Sequence, residues 1–79
     1  MKSELLKNPR PWDERVRAMW EDLHCRYYDW LYFKVIINRM DASYNGDYEH
    51  YHLLREMEKK MKSGNIKALY GLLEKLEAL

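Results

Sequence analysis

The 79-residue sequence has one cysteine, two prolines, three glycines and no marked excess of either charge. A lone Cys25 excludes an intramolecular disulfide and gives no sign of a secreted, cross-linked framework. No apolar run approaches the roughly 20 residues that a membrane-spanning helix needs. The opening "MKSELLKNPRP" lacks the apolar stretch of a signal peptide, so a cytoplasmic protein of a cell or a virus is expected. A formal net charge of +1 offers no general pull on nucleic acid and argues against an acidic mimic of it.

Catalytic signatures are missing as well. The sequence has no Gly-rich phosphate loop after a strand and no serine nucleophile elbow. Its serines, Ser3, Ser43 and Ser63, all fall at predicted helix boundaries, where capping and turn chemistry account for them. His24 and Cys25 are adjacent, and on a helix adjacent side chains diverge by about 100°, so they cannot pair directly as base and nucleophile. Cys25 reads as a small, partly buried residue rather than a reactive thiol. No enzymatic activity and no cofactor are expected.

What is present is a soluble helical composition, 47% hydrophobic and 34% charged. A chain of this size buries only roughly 60–65% of its unfolded surface. It can fold alone with a small margin, and oligomerisation is the expected extra support. Residues 1–10 read as an N-terminal tail with at most one helical turn, "SELLK", stopped by Pro9 and Pro11. Residues 11–79 read as a single helical domain. Pro11 can begin the first helix, with Asp13 and Glu14 placing negative charge in its first turn. "SYNGD" at 43–47 and "KSGN" at 62–65 punctuate the rest. In each, Gly suits a left-handed helix end, and Asp47 or Asn65 can cap the next helix.

Between these breaks the apolar period is helical. At 100° per residue, Trp12, Val16, Met19, Trp20, Leu23, Tyr27, Trp30 and Leu31 share one side, while Glu14, Glu21, Asp22 and Asp29 take the other. His50, Leu53, Leu54, Met57 and Met61 align in a second segment, and Ile66, Leu69, Leu73 and Leu76 in a third. The pattern predicts an all-α protein of three helices: a long N-terminal one over 11–41, then a helical hairpin, 47–62 and 65–78.

The stretch "RYYDWLYFKVI", 26–36, carries five aromatics between Tyr27 and Phe33 and has high β-propensity. It lies inside a helical pattern with no turn signal between Trp12 and Met40 and no evident strand to pair with, so helix is expected. Tyr28, Tyr32, Phe33, Val35, Ile36 and Met40 leave the first stripe and make this part apolar on several sides. A helix of about 30 residues is ~45 Å long, twice the length of either shorter one. The two short helices are expected to flank its aromatic half, leaving Trp12, Val16, Met19, Trp20 and Leu23 uncovered. A homodimer through that half follows.

Tyr48 and Tyr51 lie opposite Leu54 and Met57, and Tyr44 joins them if the second helix starts early. Tyrosine suits a partner surface, and it equally suits packing against the first helix. "EDLH" (Glu21, His24) and "EHYH" (Glu49, His52) have the Glu-x-x-His spacing of di-iron bundles. Glu21, Glu49 and His52 fall outside the apolar stripes, so no metal site is expected.

Arg55, Lys59, Lys60, Lys62 and Lys67 cluster around the second break, and Lys2, Lys7, Arg10, Arg15 and Arg17 near the N-terminus. A helix–turn–helix over 47–79 could present the first cluster to phosphates. Glu56 and Glu58 interrupt it, however, as on an ordinary solvated face. No helix joins a strongly basic face to a wide apolar one, so a membrane surface is not expected to be a partner. The leading expectation is a non-enzymatic module that binds another protein as regulator, inhibitor, adaptor or assembly subunit. Its expected contacts are Trp12, Val16, Trp20, Tyr44, Tyr48 and Tyr51. The alternative is a small nucleic-acid-binding regulator using Arg55, Lys59, Lys60, Lys62 and Lys67.

Overall fold

Four helices, not three, make up the computed structural model, which describes residues 10–79. The expected tail and its "SELLK" turn fall outside the described residues, Arg10 excepted. Helix α1 spans Trp12–His24, α2 Tyr28–Asn45, α3 Tyr48–Lys62 and α4 Lys67–Ala78. Among the described residues there is no strand, and no helix is long and apolar enough to cross a membrane. The expected helical class therefore stands, while the single long helix divides in two.

The division lies at Cys25, Arg26 and Tyr27. Arg26 takes a left-handed conformation, φ +60°. Its N–H donates to the Leu23 carbonyl at 3.3 Å, and the Tyr27 N–H donates to the Asp22 carbonyl at 2.8 Å. This is the paired hydrogen bonding of a Schellman end. The same pattern closes α2 at Gly46, where the Asp47 N–H reaches the Ala42 carbonyl at 2.8 Å. It closes α3 at Gly64, where the Asn65 N–H reaches the Lys60 carbonyl at 2.8 Å. Two of the three ends carry the glycine that signals them, and the third carries arginine.

Packing explains why arginine accepts that geometry. The left-handed region costs a side-chain-bearing residue roughly 1–2 kcal/mol. Full burial of one Val or Leu returns about 1.5–3 kcal/mol, and the break lets several turn inward. Val16, Met19 and Leu23 of α1 join Leu31, Val35 and Ala42 of α2 in one core with Leu54, Met57, Leu69, Leu73 and Leu76. An unbroken helix of ~45 Å would overrun the longest extent of the fold, 31 Å.

Helix α1 packs between α2 and α4, and α3 packs between the same two, so the four close a ring. The N-terminal apolar half is therefore not bare. Val16, Met19 and Leu23 are buried, with Trp12 and Trp20 packed against them. The geometric premise for a dimer through that half is removed.

Asp22, expected on the solvent side, is buried and paired with Lys34 Nζ at 2.7 Å, which ties α1 to α2. The two later helices start slightly after their predicted first residues, at Tyr48 and Lys67. Asp47 precedes α3 without a side-chain cap, because its carboxylate accepts from Trp12 Nε1 at 3.2 Å.

A candidate protein-binding face on the second helix

The sequence of α2 is apolar on several sides, and among the described residues the ring leaves much of one side uncovered, with Phe33 and Ile37 bordering a cleft they share with Glu14 and Ala18 of α1. Leu31, Val35, Asn38 and Ala42 point inward. On the far side, Trp30, Phe33, Ile37, Met40 and Tyr44 follow a 3-4-3-4 spacing. That is the a/d repeat of a helix-packing seam, and it runs ~21 Å along the helix. Trp30, Phe33, Met40 and Tyr44 are exposed and Ile37 half-buried. Trp30 and Phe33 meet edge to face with ring centroids 6.5 Å apart. Half-buried Tyr32 and Ile36 widen the apolar face, and Asp29 and Ser43 are the exposed polar residues along it. Tyr27 lies exposed just before this helix and Tyr48 just after it.

The six expected contact residues separate into two groups. Tyr44 and Tyr48 stand in solvent, next to or on the α2 face. Val16 belongs to the core, and Tyr51, half-buried, packs against it. Trp20 stacks on His24 at 5.3 Å between centroids and tilts against Tyr70 of α4 at 5.9 Å. Trp12 stacks on His50 at 4.0 Å, with the Arg15 guanidinium carbon 4.1 Å from the ring centroid. Beside these two tryptophans runs a cleft of about 450 Å³, lined by Trp12, Val16, Trp20, His50, Leu76 and Leu79 among others. Burial lowers the His50 pKa below its ordinary 6.5. The Asp47 carboxylate opposes that shift, Arg15 adds to it, and Glu49 opposes it.

Sequence reasoning missed Trp30, Phe33, Ile37 and Met40 as surface. It took Trp30 into the stripe of α1 and gave the aromatic segment to the core. The signal was present as the 3-4-3-4 spacing, but one continuous helix hid which side of it would face outward. It also missed Arg15 and Asp41, whose side chains pair at 2.7 Å in the interior.

The alternative basic set keeps its place on the surface. Arg55, Lys59 and Lys62 line a cleft of about 360 Å³ with Arg39, Tyr51 and Glu58. Its positive charge is interleaved with carboxylates. Arg39 Nε lies 2.7 Å and Lys62 Nζ 3.2 Å from Glu58, and Lys59 Nζ 3.8 Å from Glu56. Lys60 is half-buried, and Lys67 is exposed at the start of α4.

Glu21, His24, Glu49 and His52 are all exposed. Among the described residues no three His, Cys, Asp or Glu side chains gather as a metal-ligating group. Cys25, expected to be partly buried, is exposed where it follows the last residue of α1, because the helix ends there, while the His24 ring lies on Trp20. Comparison with protein-family models, curated proteins and solved structures finds no match to this chain.

Proposed function

We propose that this protein acts without catalysis, by binding another protein chain through the outer face of α2, as a regulator, inhibitor, adaptor or assembly subunit. One observation carries the reading: the 3-4-3-4 row of Trp30, Phe33, Ile37, Met40 and Tyr44 faces away from the core. Contiguous apolar patches above roughly 300–600 Å² are uncommon on monomeric soluble proteins and mark association sites. Trp and Tyr, which carry much of the energy of protein interfaces, sit at the two ends of the row. Its spacing suits a helix as the docking element, because knobs at 3-4 intervals fill the holes of a facing helix.

A photo-activatable residue in place of Phe33, with a control at exposed Lys75 of α4, tests this in the native host. The expected result is a covalent protein adduct of one defined mass from position 33 alone, lost when Trp30 is also changed to Lys. Equal adducts from both positions, or nucleic acid in place of protein, would overturn the reading.

A further inference from the structure

Resting on that reading of the α2 face, we infer that its occupant is the same face of a second copy, packed antiparallel about a twofold axis at Ile37. The row is self-complementary about its middle. Trp30 and Tyr44 each lie seven residues from Ile37, and Phe33 and Met40 lie four and three away. In an antiparallel pair centred there, Trp30 of each copy meets Tyr44 of the other, Phe33 meets Met40, and Ile37 meets its own mate. The first is an aromatic pair and the second a sulfur–aromatic contact, both favourable. A compact branched aliphatic side chain, Ile37, falls on the axis, where the two backbones approach. Tyr27 and Tyr48, just outside the two ends of α2, are related by the same symmetry to within one residue. A twofold interface requires this relation, since residue i must meet j while j meets i.

Area and charge point the same way. Tyr27, Trp30, Phe33, Met40, Tyr44 and Tyr48 are between 47% and 72% exposed. With roughly 150–250 Å² for each fully presented large side chain, the six offer about 700 Å² per copy. With all of it covered, two copies together would bury up to about 1,400 Å², which reaches the range of roughly 1,200–2,000 Å² for specific interfaces. A parallel pair would set Asp29 beside Asp29 and align the helix dipoles unfavourably, whereas the antiparallel pair avoids both. No charged side chain occupies the row itself, and its polar atoms are confined to the Trp30 indole N–H and the Tyr44 hydroxyl at its two ends.

Sedimentation equilibrium of the full chain is expected to give twice the 9.8-kDa chain mass. Ile37→Glu and Ile37→Lys, each folded by circular dichroism, are expected to sediment as monomers. Their equimolar mixture is expected to recover the dimer, because opposite charges then meet on the axis. Orientation is read in a Cys25→Ser background. Trp30→Cys mixed with Tyr44→Cys is expected to form a disulfide-linked dimer on mild oxidation, and Trp30→Cys alone is not. A monomeric wild-type chain at high micromolar concentration would overturn the inference, and so would efficient linkage of Trp30→Cys to itself. Should either substitution at Ile37 prevent folding, the wild-type mass and the cysteine pairs still decide. A monomer that yields a protein adduct from position 33 in the host would leave the binding face intact and assign it another occupant. Loss of that adduct as well would overturn both.

Discussion

Arg15 of α1 and Asp41 of α2 form an ion pair at 2.7 Å with side chains only 4% and 0% exposed. Arg15 Nε also donates to the Arg10 carbonyl at 2.6 Å, and Asn45 Nδ2 donates to the other Asp41 oxygen at 2.8 Å. The pair therefore fastens the start of the first helix to the end of the second. Removing one member of a buried pair leaves the other charge without compensation, at about 3–5 kcal/mol. A 79-residue chain has a total stability of only about 4–12 kcal/mol. Asp41→Ala is expected to leave the protein largely unfolded at room temperature or lower its urea midpoint by about a quarter or more. Replacing both residues by Leu is expected to recover much of the loss, because no charge is then stranded. A single substitution with the wild-type midpoint would show that the pair contributes nothing.

Arg26 holds a conformation, φ +60°, that glycine adopts without steric cost. No hydrogen bond or ion pair of its side chain is found among the described residues, and it is exposed. Relief of the strain, set against the greater freedom glycine gives the unfolded chain, leaves a net gain of about 0.5–1 kcal/mol. Arg26→Gly is therefore expected to raise the thermal midpoint, and β-branched Arg26→Val to lower it. Thermal denaturation of both variants beside wild type reads the order. A glycine variant less stable than wild type would mean the side chain contributes more than its surroundings indicate.

These two sites also mark how far the sequence could be read. The apolar periods gave Leu54 and Met57 of α3 and Leu69, Leu73 and Leu76 of α4 as core because each helix has one dominant stripe. Gly46 and Gly64 announced their own turns. Arg26 carries no such mark: its left-handed turn follows from packing of residues distant in sequence, which overrides local preference. The same hidden break moved Trp30 outward and brought Asp22 and Asp41 inside. An acidic residue that looks solvated along one helix becomes a tertiary partner once that helix folds back on itself. The outward row on α2 was therefore written in its spacing but had no fixed direction until the break was known.

His50, stacked on Trp12, couples stability to pH. Burial lowers its pKa from 6.5 in the folded chain, against the Asp47 and Glu49 carboxylates and with the help of Arg15. The unfolded chain thus binds this proton first as the pH falls. The His50 contribution is fully present above 6.5 and is lost as the pH drops from there through the folded value. The thermal midpoint is expected to fall from about pH 7.5 to about pH 5.5, and to fall less in His50→Gln. Equal slopes for wild type and variant would assign the dependence to other groups.

The basic cleft offers a direct comparison with the nucleic-acid alternative. Lys59 and Lys62 already face Glu56 and Glu58. Changing Lys59, Lys60 and Lys62 together to Glu is expected to leave the adduct from position 33 and the sedimentation mass as they were. If these lysines met phosphates, a gel shift of nucleic acid would weaken steeply with salt and disappear in the triple variant. That pair of observations would replace the protein-binding reading.

The last prediction sets two tryptophans against each other. Trp20, half-buried, packs on the core and against Tyr70, whereas Trp30 is 63% exposed on the α2 face. Trp20→Ala removes packing inside one chain and is expected to cost about 2 kcal/mol, below the usual range for a fully buried tryptophan. It should leave the sedimentation mass of the folded protein unchanged. Trp30→Ala alters a largely exposed side chain that meets Phe33 edge to face, and it is expected to change monomer stability by no more than about 0.5 kcal/mol. It should weaken association, because each copy loses its partner for Tyr44. The comparison needs dilution, since a dimer lends its subunits stability by mass action and would make the Trp30 variant look unstable at high concentration. Denaturation at several protein concentrations separates the two effects. For Trp30→Ala the midpoint should meet that of wild type as the protein is diluted, while for Trp20→Ala the difference should persist at every concentration. If the roles were reversed, the covered and uncovered faces of this fold would have to be exchanged.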